Sequence, residues 1–198
     1  VAAWPAAVLG DPELSAEVAA FVERIRPAGW SNSLGQKLLQ LAAPGIPDIY
    51  QGTELFDLSL VDPDNRRPVD FAERAAVLDR LESGWLPEID ESGTVKLHVV
   101  RTVLRLRRDR PELFAGYRPV SAEGVASGHV VAFARDARLV AVATRLPLGL
   151  ARSGGWGETR LALPGTWVDL LTRTEVSSSR LADVLGRYPV ALLLREDR

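Results

Sequence analysis

The sequence predicts an α+β chain in two parts: residues 1–115 mostly helical with a single strand, and residues 116–198 an antiparallel β domain. Three observations carry this. Apolar residues recur at helical spacing between Asp and Ser caps as far as about residue 109. One apolar stretch, Ile46 to Tyr50, interrupts them and runs into a long loop rich in Asp, Arg and Pro. From about Tyr117 the hydrophobic period drops to two, with Gly and Pro turns between short runs.

The elements follow in order. Val1 to Gly10 is apolar and reads as a loop or the start of a cut helix. Asp11-Pro12 then has the form of a helix start, with Asp as N-cap and Pro at the first helical position. Leu14, Val18, Phe21 and Ile25 make one apolar face, and Pro27 and Gly29 are expected to end that helix. Ser31 is placed to cap a second helix over 32–43, with Leu34, Leu38 and Leu41 inward. Pro44-Gly45 breaks it and Ile46 starts the strand. Asp70 and Glu73 have capping-box spacing, and Phe71, Ala75, Leu78 and Leu81 form the face of a third helix. The order helix, strand, loop, helix fits the last unit of a (β/α)8 barrel.

Thr94 to Asp109 is the strongest helix, apolar on more than one face, with arginines near its C-terminus where the dipole favours cations. A domain boundary is expected at residues 113–117. Beyond it, 129–135 and 138–145 alternate as a hairpin around Asp136-Ala137. Further strands are expected at 159–163, 166–170, 175–176 and 190–194, which together suggest an antiparallel β-sandwich.

Composition removes several classes of function. A formal net charge of −2 leaves no electrostatic footprint for nucleic acid or an anionic membrane. No cysteine is present, so thiolate nucleophiles, disulfides and Cys-ligated metals are out. No apolar run reaches membrane-spanning length, and the first residues lack the basic region of a signal peptide, so a cytoplasmic protein is expected. Lys37 and Lys96 are the only lysines among many arginines, which suits a GC-rich bacterial genome. The chain begins with valine and holds no methionine, and is therefore expected to be a piece of a longer protein.

The stretch that looks chosen for chemistry is 44–70. Tyr50, Gln51 and Glu54 stand at the strand end; Asp62, Asp64, Arg66 and Arg67 stand in the loop beyond, with Asp57 between. A guanidinium fork and a carboxylate both suit vicinal sugar hydroxyls. Retaining glycosidase chemistry needs two carboxyl groups about 5–5.5 Å apart. Asp62 and Asp64 sit two apart in a Pro-containing turn where side chains diverge, which argues against them as that pair. Two roles for the group stay open: direct contact with a sugar, or ion pairs that hold the loop, at least one arginine being buried in such a pair. Of the five tryptophans, Trp156 among Gly154, Gly155 and Gly157 is the best candidate for an exposed sugar platform. His98 and His129 have no second ligand at metal spacing and read as structural.

The wording PGIPDIYQGTEL followed by LSLVDPDNRRPVDF resembles the last barrel strand and following loop of the α-amylase family. More narrowly it is similar to the maltooligosyltrehalose synthases, and the likeness runs on through KLHVVRTVLRLRRDRPELFAGYRPV and GGWGETRLALPG. It covers most of this chain from about Ser31 but only the C-terminal part of the family's length. The resemblance implies residues 1–115 as the end of a catalytic barrel with trailing helices and 116–198 as a β-sandwich. It implies an intramolecular transglucosylation in which the reducing-end α-1,4 bond of a maltooligosaccharide becomes an α,α-1,1 bond. The family's nucleophile, acid/base and third aspartate lie on earlier strands, outside this sequence, so no catalytic residue is expected here. What the resemblance leaves to this chain is a substrate-pocket loop, Tyr50, Gln51, Glu54, Asp62, Asp64, Arg66 and Arg67. No metal, nucleotide or redox cofactor is implied. The expected partners are the maltooligosaccharide and the remainder of the barrel, with the isolated chain inactive. A non-catalytic glucan-binding or stabilising module, or part of another α-amylase-type enzyme, is the alternative.

Overall fold

The computed structural model describes residues 3–60, 62 and 66–195. Helices α1 (Ala3–Leu9), α2 (Pro12–Ala42), α3 (Phe71–Glu82) and α4 (Thr94–Asp109) come first. Strands β1 (Arg118–Pro119), β2 (Ala122–Glu123), β3 (Val130–Asp136) and β4 (Leu139–Thr144) follow, then α5 (Pro147–Arg152), β5 (Arg160–Leu161), β6 (Trp167–Asp169), β7 (Thr174–Val176), α6 (Leu181–Val184) and β8 (Val190–Leu194). None of the described helices is long and apolar enough to cross a membrane.

Asp11 caps α2 as expected, its carboxylate accepting from the Glu13 and Leu14 amides at 2.9 and 3.1 Å. The expected break at Pro27 does not occur. One helix of 31 residues runs through it, and Ser31 lies buried inside rather than at a cap. Proline costs one hydrogen bond and a clash with the carbonyl four residues back. The burial of Leu34, Leu38 and Leu41 just beyond, all at 0 % exposure, offsets that loss. The N-terminal half has no such cover: Val18 is 54 % exposed and Phe21 51 %. The apolar face read from the sequence is there, but nothing among the described residues closes over it.

Six strands form one antiparallel sheet in the order β1-β3-β4-β8-β6-β7, and β2 pairs with β5 as a separate ribbon. Every residue of β4 and β8 is buried, and their two faces belong to different clusters. Leu139, Ala141, Leu192 and Leu194 meet Leu34, Leu38, Val95 and Val99 from α2 and α4. Val140, Val142, Ala191 and Leu193 meet Leu161, Trp167, Leu181 and Val184 on the other side. In place of the two comparable sheets expected of a sandwich, helices cover one face, and the ribbon with α6 covers the other. The reason lies in lengths: β2 and β5 have two residues each, whereas α2 and α4 bring the larger apolar surface. The hairpin turn falls at Ala137-Arg138, one residue later than the sequence reading, with a register shift between Ala134 and Asp136.

The strand expected at 46–50 is corrected too. These residues join neither sheet. Ile46 is 97 % exposed, while Ile49 packs against the helical side of the core. A strand needs a neighbour to accept and donate its ladder bonds, and the described residues offer none here. Helix α3 begins at its Asp70 cap as expected, but its buried face is Val77, Leu78 and Leu81 rather than a face including Phe71 and Ala75.

Candidate functional site

Pro44 and Gly45 end α2, and the chain then crosses to a turn at Tyr50–Thr53. The Thr53 amide and hydroxyl both donate to the Tyr50 carbonyl, at 3.1 and 2.7 Å. Gly52 occupies the third place with φ +93, a conformation that favours glycine. Glu54 closes the turn: its carboxylate accepts from the Gly52 amide at 3.0 Å and from Arg74 Nε at 3.1 Å. Arg74, on the first turn of α3, also donates to the Gly52 and Asp70 carbonyls at 2.8 Å each. The guanidinium thus joins both ends of the loop.

Beneath the turn lie the two lysines, each buried. Lys37 on α2 donates to Gln40 Oε1 at 2.8 Å, and Gln40 in turn holds the Asp48 carbonyl. Lys96 on α4 donates to the Leu55 carbonyl at 3.0 Å. Burial lowers the pKa of both amines, against the attraction of Glu54. Asp57 is exposed, and its hydrogen bonds from Ser59 hold its carboxyl below the usual carboxylate range. Such a carboxylate suits binding rather than proton donation.

Gln51, Asp57, Arg67, Asp70 and Arg74 line a cleft of about 180 Å³ in front of the turn. That is small beside ordinary ligand pockets of roughly 300–1,000 Å³. A larger groove of about 510 Å³ runs between α2 and the loop, past Trp30, Phe56, Asp57, Glu91 and Lys96. Trp30 and Phe56 stack there with centroids 6.1 Å apart and planes 3° from parallel.

Of the seven residues read from the sequence, Gln51 and Arg67 reach the cleft. Tyr50 stands half exposed at the start of the turn. Glu54 sits behind the cleft in its ion pair with Arg74. Asp62 and Arg66 pair with each other at 2.6 Å on the surface, with side chains 54 % and 71 % exposed, and Arg67 is exposed as well, so neither arginine is buried as expected. Asp64 lies outside the described residues. Trp156 is not a free platform, because it packs partly against the second core cluster. His98 is buried in the core with Nε2 2.8 Å from the Leu171 carbonyl.

No family model matches the chain. A protein of Mycobacterium tuberculosis named as a maltooligosyl trehalose synthase is 41% identical over 98% of this chain and 24% of its own length. The solved maltooligosyltrehalose synthase of Arthrobacter ramosus is 51% identical and superposes with a TM-score of 0.92, over 96% of this chain and 25% of that one. Over nearly its whole length the chain is similar to maltooligosyltrehalose synthases. It spans about a quarter of the length of the synthases it matches. A solved hypothetical maltooligosyl trehalose synthase of Sulfolobus tokodaii, 22% identical with a TM-score of 0.66, covers 95% of this chain and 24% of that one and shares the fold. The mixed helical and antiparallel architecture resembles the C-terminal part of these synthases.

Within this segment, sequence reasoning missed Arg74, Lys37 and Lys96. One signal was available for Arg74. It lies at the spacing of the buried positions Val77, Leu78 and Leu81, as a charge on the apolar face of α3. Replacing Arg74 with alanine takes the donor from the Gly52 and Asp70 carbonyls and leaves Glu54 the Gly52 amide but not its cation. The expected loss is about 2 kcal/mol, read by urea unfolding; a loss under 0.5 kcal/mol would mean that the turn holds itself.

Proposed function

We propose that this chain is the C-terminal part of a maltooligosyltrehalose synthase and that its 46–70 segment forms one wall of the glucan pocket. In that reading residues 1–115 end the catalytic barrel and 116–198 form the β-domain that follows it. The parent protein would break the reducing-end α-1,4 bond of a maltooligosaccharide and rejoin the released glucose as an α,α-1,1 linkage. Gln51 and Arg67 would offer donors to sugar hydroxyls at the cleft, with Tyr50, Asp62 and Arg66 as further candidates on the same loop. Glu54 would work from behind, through Arg74. The observation that carries the proposal is the 51% identity and TM-score of 0.92 with the Arthrobacter ramosus synthase over nearly the whole chain.

Two features support a missing neighbour. Residues 46–50 have no ladder partner among the described residues while Ile46 is almost fully exposed, and the face Leu14, Val18, Phe21 and Ile25 is exposed too. The remaining barrel strands would pair with the first and cover the second.

A chimera tests the reading: this chain replaces the matching quarter of the Arthrobacter ramosus synthase. It is expected to convert maltooligosaccharide to a non-reducing product, seen as loss of reducing ends. Arg67→Ala in the chimera is expected to raise KM about tenfold, as for one lost charged hydrogen bond. A chimera that folds with a cooperative melt yet makes no non-reducing product sinks the proposal.

A further inference from the structure

The 50–57 turn is gripped from two sides. Arg74 holds its front through Glu54 and Gly52. Behind it, Lys96 rises from the first turn of α4 and donates to the Leu55 carbonyl in a buried bond that spans 41 residues of sequence. Its amine also lies 5.9 Å from the centre of the Phe56 ring. Gly93, left-handed at φ +70, precedes α4, and a Cβ there would collide with the Phe56 amide. The start of α4 and the turn are thus fitted to one another, with one side-chain donor at the seam.

We propose that Lys96 is a positioning residue that fixes the 51–57 turn on α4 and so sets where Gln51 and Asp57 stand in the cleft. This goes beyond the pocket-wall reading, since Lys96 would hold the turn with or without a glucan. Charged groups face the amine from each neighbouring element. Lys37 on α2 opposes its charge, and Glu54 and Asp57 on the turn favour it. Arg26 and Glu91 line the same groove. Burial is the largest influence, and the amine pKa falls to about 8 from 10.5. The closed turn therefore prefers the neutral amine, which still carries N–H donors. By linkage, the turn's resistance to opening is lowest below about pH 8. It rises as the pH climbs from there toward 10.5.

Because the chain holds only two lysines, lysine labelled with ¹³C at Cε gives two resonances, assigned with Lys37→Arg. The Lys96 resonance is expected to titrate near pH 8. Amide protection of residues 52–57, corrected for intrinsic exchange, is expected to rise about tenfold between pH 7 and 9. Lys96→Met should lose that slope and about tenfold of protection at pH 9, in these residues and not across α4. Lys96→Arg keeps a donor but cannot lose its proton, so it should retain protection at pH 7 without the slope. Arg74→Ala, which frees the other side of the turn, should move the Lys96 midpoint upward. Wild-type protection without a pH slope, Lys96→Met behaving as wild type, or a midpoint unmoved in Arg74→Ala each overturns the assignment. If Lys96→Met does not fold, the wild-type slope and the Arg74→Ala midpoint decide it. None of these readouts involves a sugar, so they fail or succeed separately from the chimera.

Discussion

Replacing Arg135 with methionine is expected to cost about 3 kcal/mol of stability and to lower the melting temperature by roughly 6–12 °C. Arg135 is a strand residue, on β3, yet its guanidinium reaches the end of α2. It donates to the Ala42 carbonyl at 2.9 Å, to the Gly116 carbonyl at 2.7 Å and to the Phe114 carbonyl. The last carbonyls of a helix have no partner within the helix and carry its negative end. Arg107 from α4 caps the same end, donating to the Leu41 and Gly45 carbonyls at 2.8 and 2.7 Å. Methionine fills similar volume but leaves three carbonyls unpaired, each costing about 1–3 kcal/mol where it stays buried. Arg135→Lys should recover only part, since an ammonium lacks the planar fork that reaches three acceptors. Urea unfolding with Arg152→Met as an exposed control checks this, the control staying within about 0.5 kcal/mol. A loss below 1 kcal/mol in Arg135→Met would show that water replaces the guanidinium at the helix end.

How much of this was legible depends on how local the determinant is. Asp11 and Asp70 could be read as caps because a cap acts over three residues, and both accept the amide bonds expected of them. The α4 span and the strands from β3 onward were readable from periodicity alone. Pro27 misled, because what carries α2 through it is the burial of Leu34, Leu38 and Leu41 against strands a hundred or more residues away. The stretch 46–50 misled for the opposite reason. Its strand-like composition is real, but a ladder needs a second strand and none among the described residues pairs with it. At the site, the loop could be found by its polarity. The residues that hold it could not, because Lys96 sits within a fully buried run from Gly93 to Val100 where a pattern reader counts only the apolar positions. Arg135 hides in the same way, inside HVVAFAR.

Truncating Leu38 to alanine is expected to cost about 3 kcal/mol, and its larger interest is in what melts with it. Leu38 is at 0 % exposure in a cluster that holds Val95 and Val99 of α4 together with Ala141, Leu192 and Leu194 of the sheet. The sequence places a boundary at 113–117, between those two sets. A shared cluster means that neither set keeps its apolar surface from water without the other. The helical signal at 222 nm and the near-ultraviolet signal of buried Trp167 should therefore fall in one transition, shifted equally by Leu38→Ala. Val18→Ala on the same helix, at 54 % exposure, should shift neither by more than about 0.5 kcal/mol. If Leu38→Ala moves the 222 nm transition and leaves Trp167 unchanged, the two parts fold separately and the boundary read from the sequence is a thermodynamic one. If both move together, the C-terminal sheet is the support on which the loop-bearing helices stand. The 50–57 turn, built on α2, α3 and α4, then depends on residues beyond 130 that do not line the cleft.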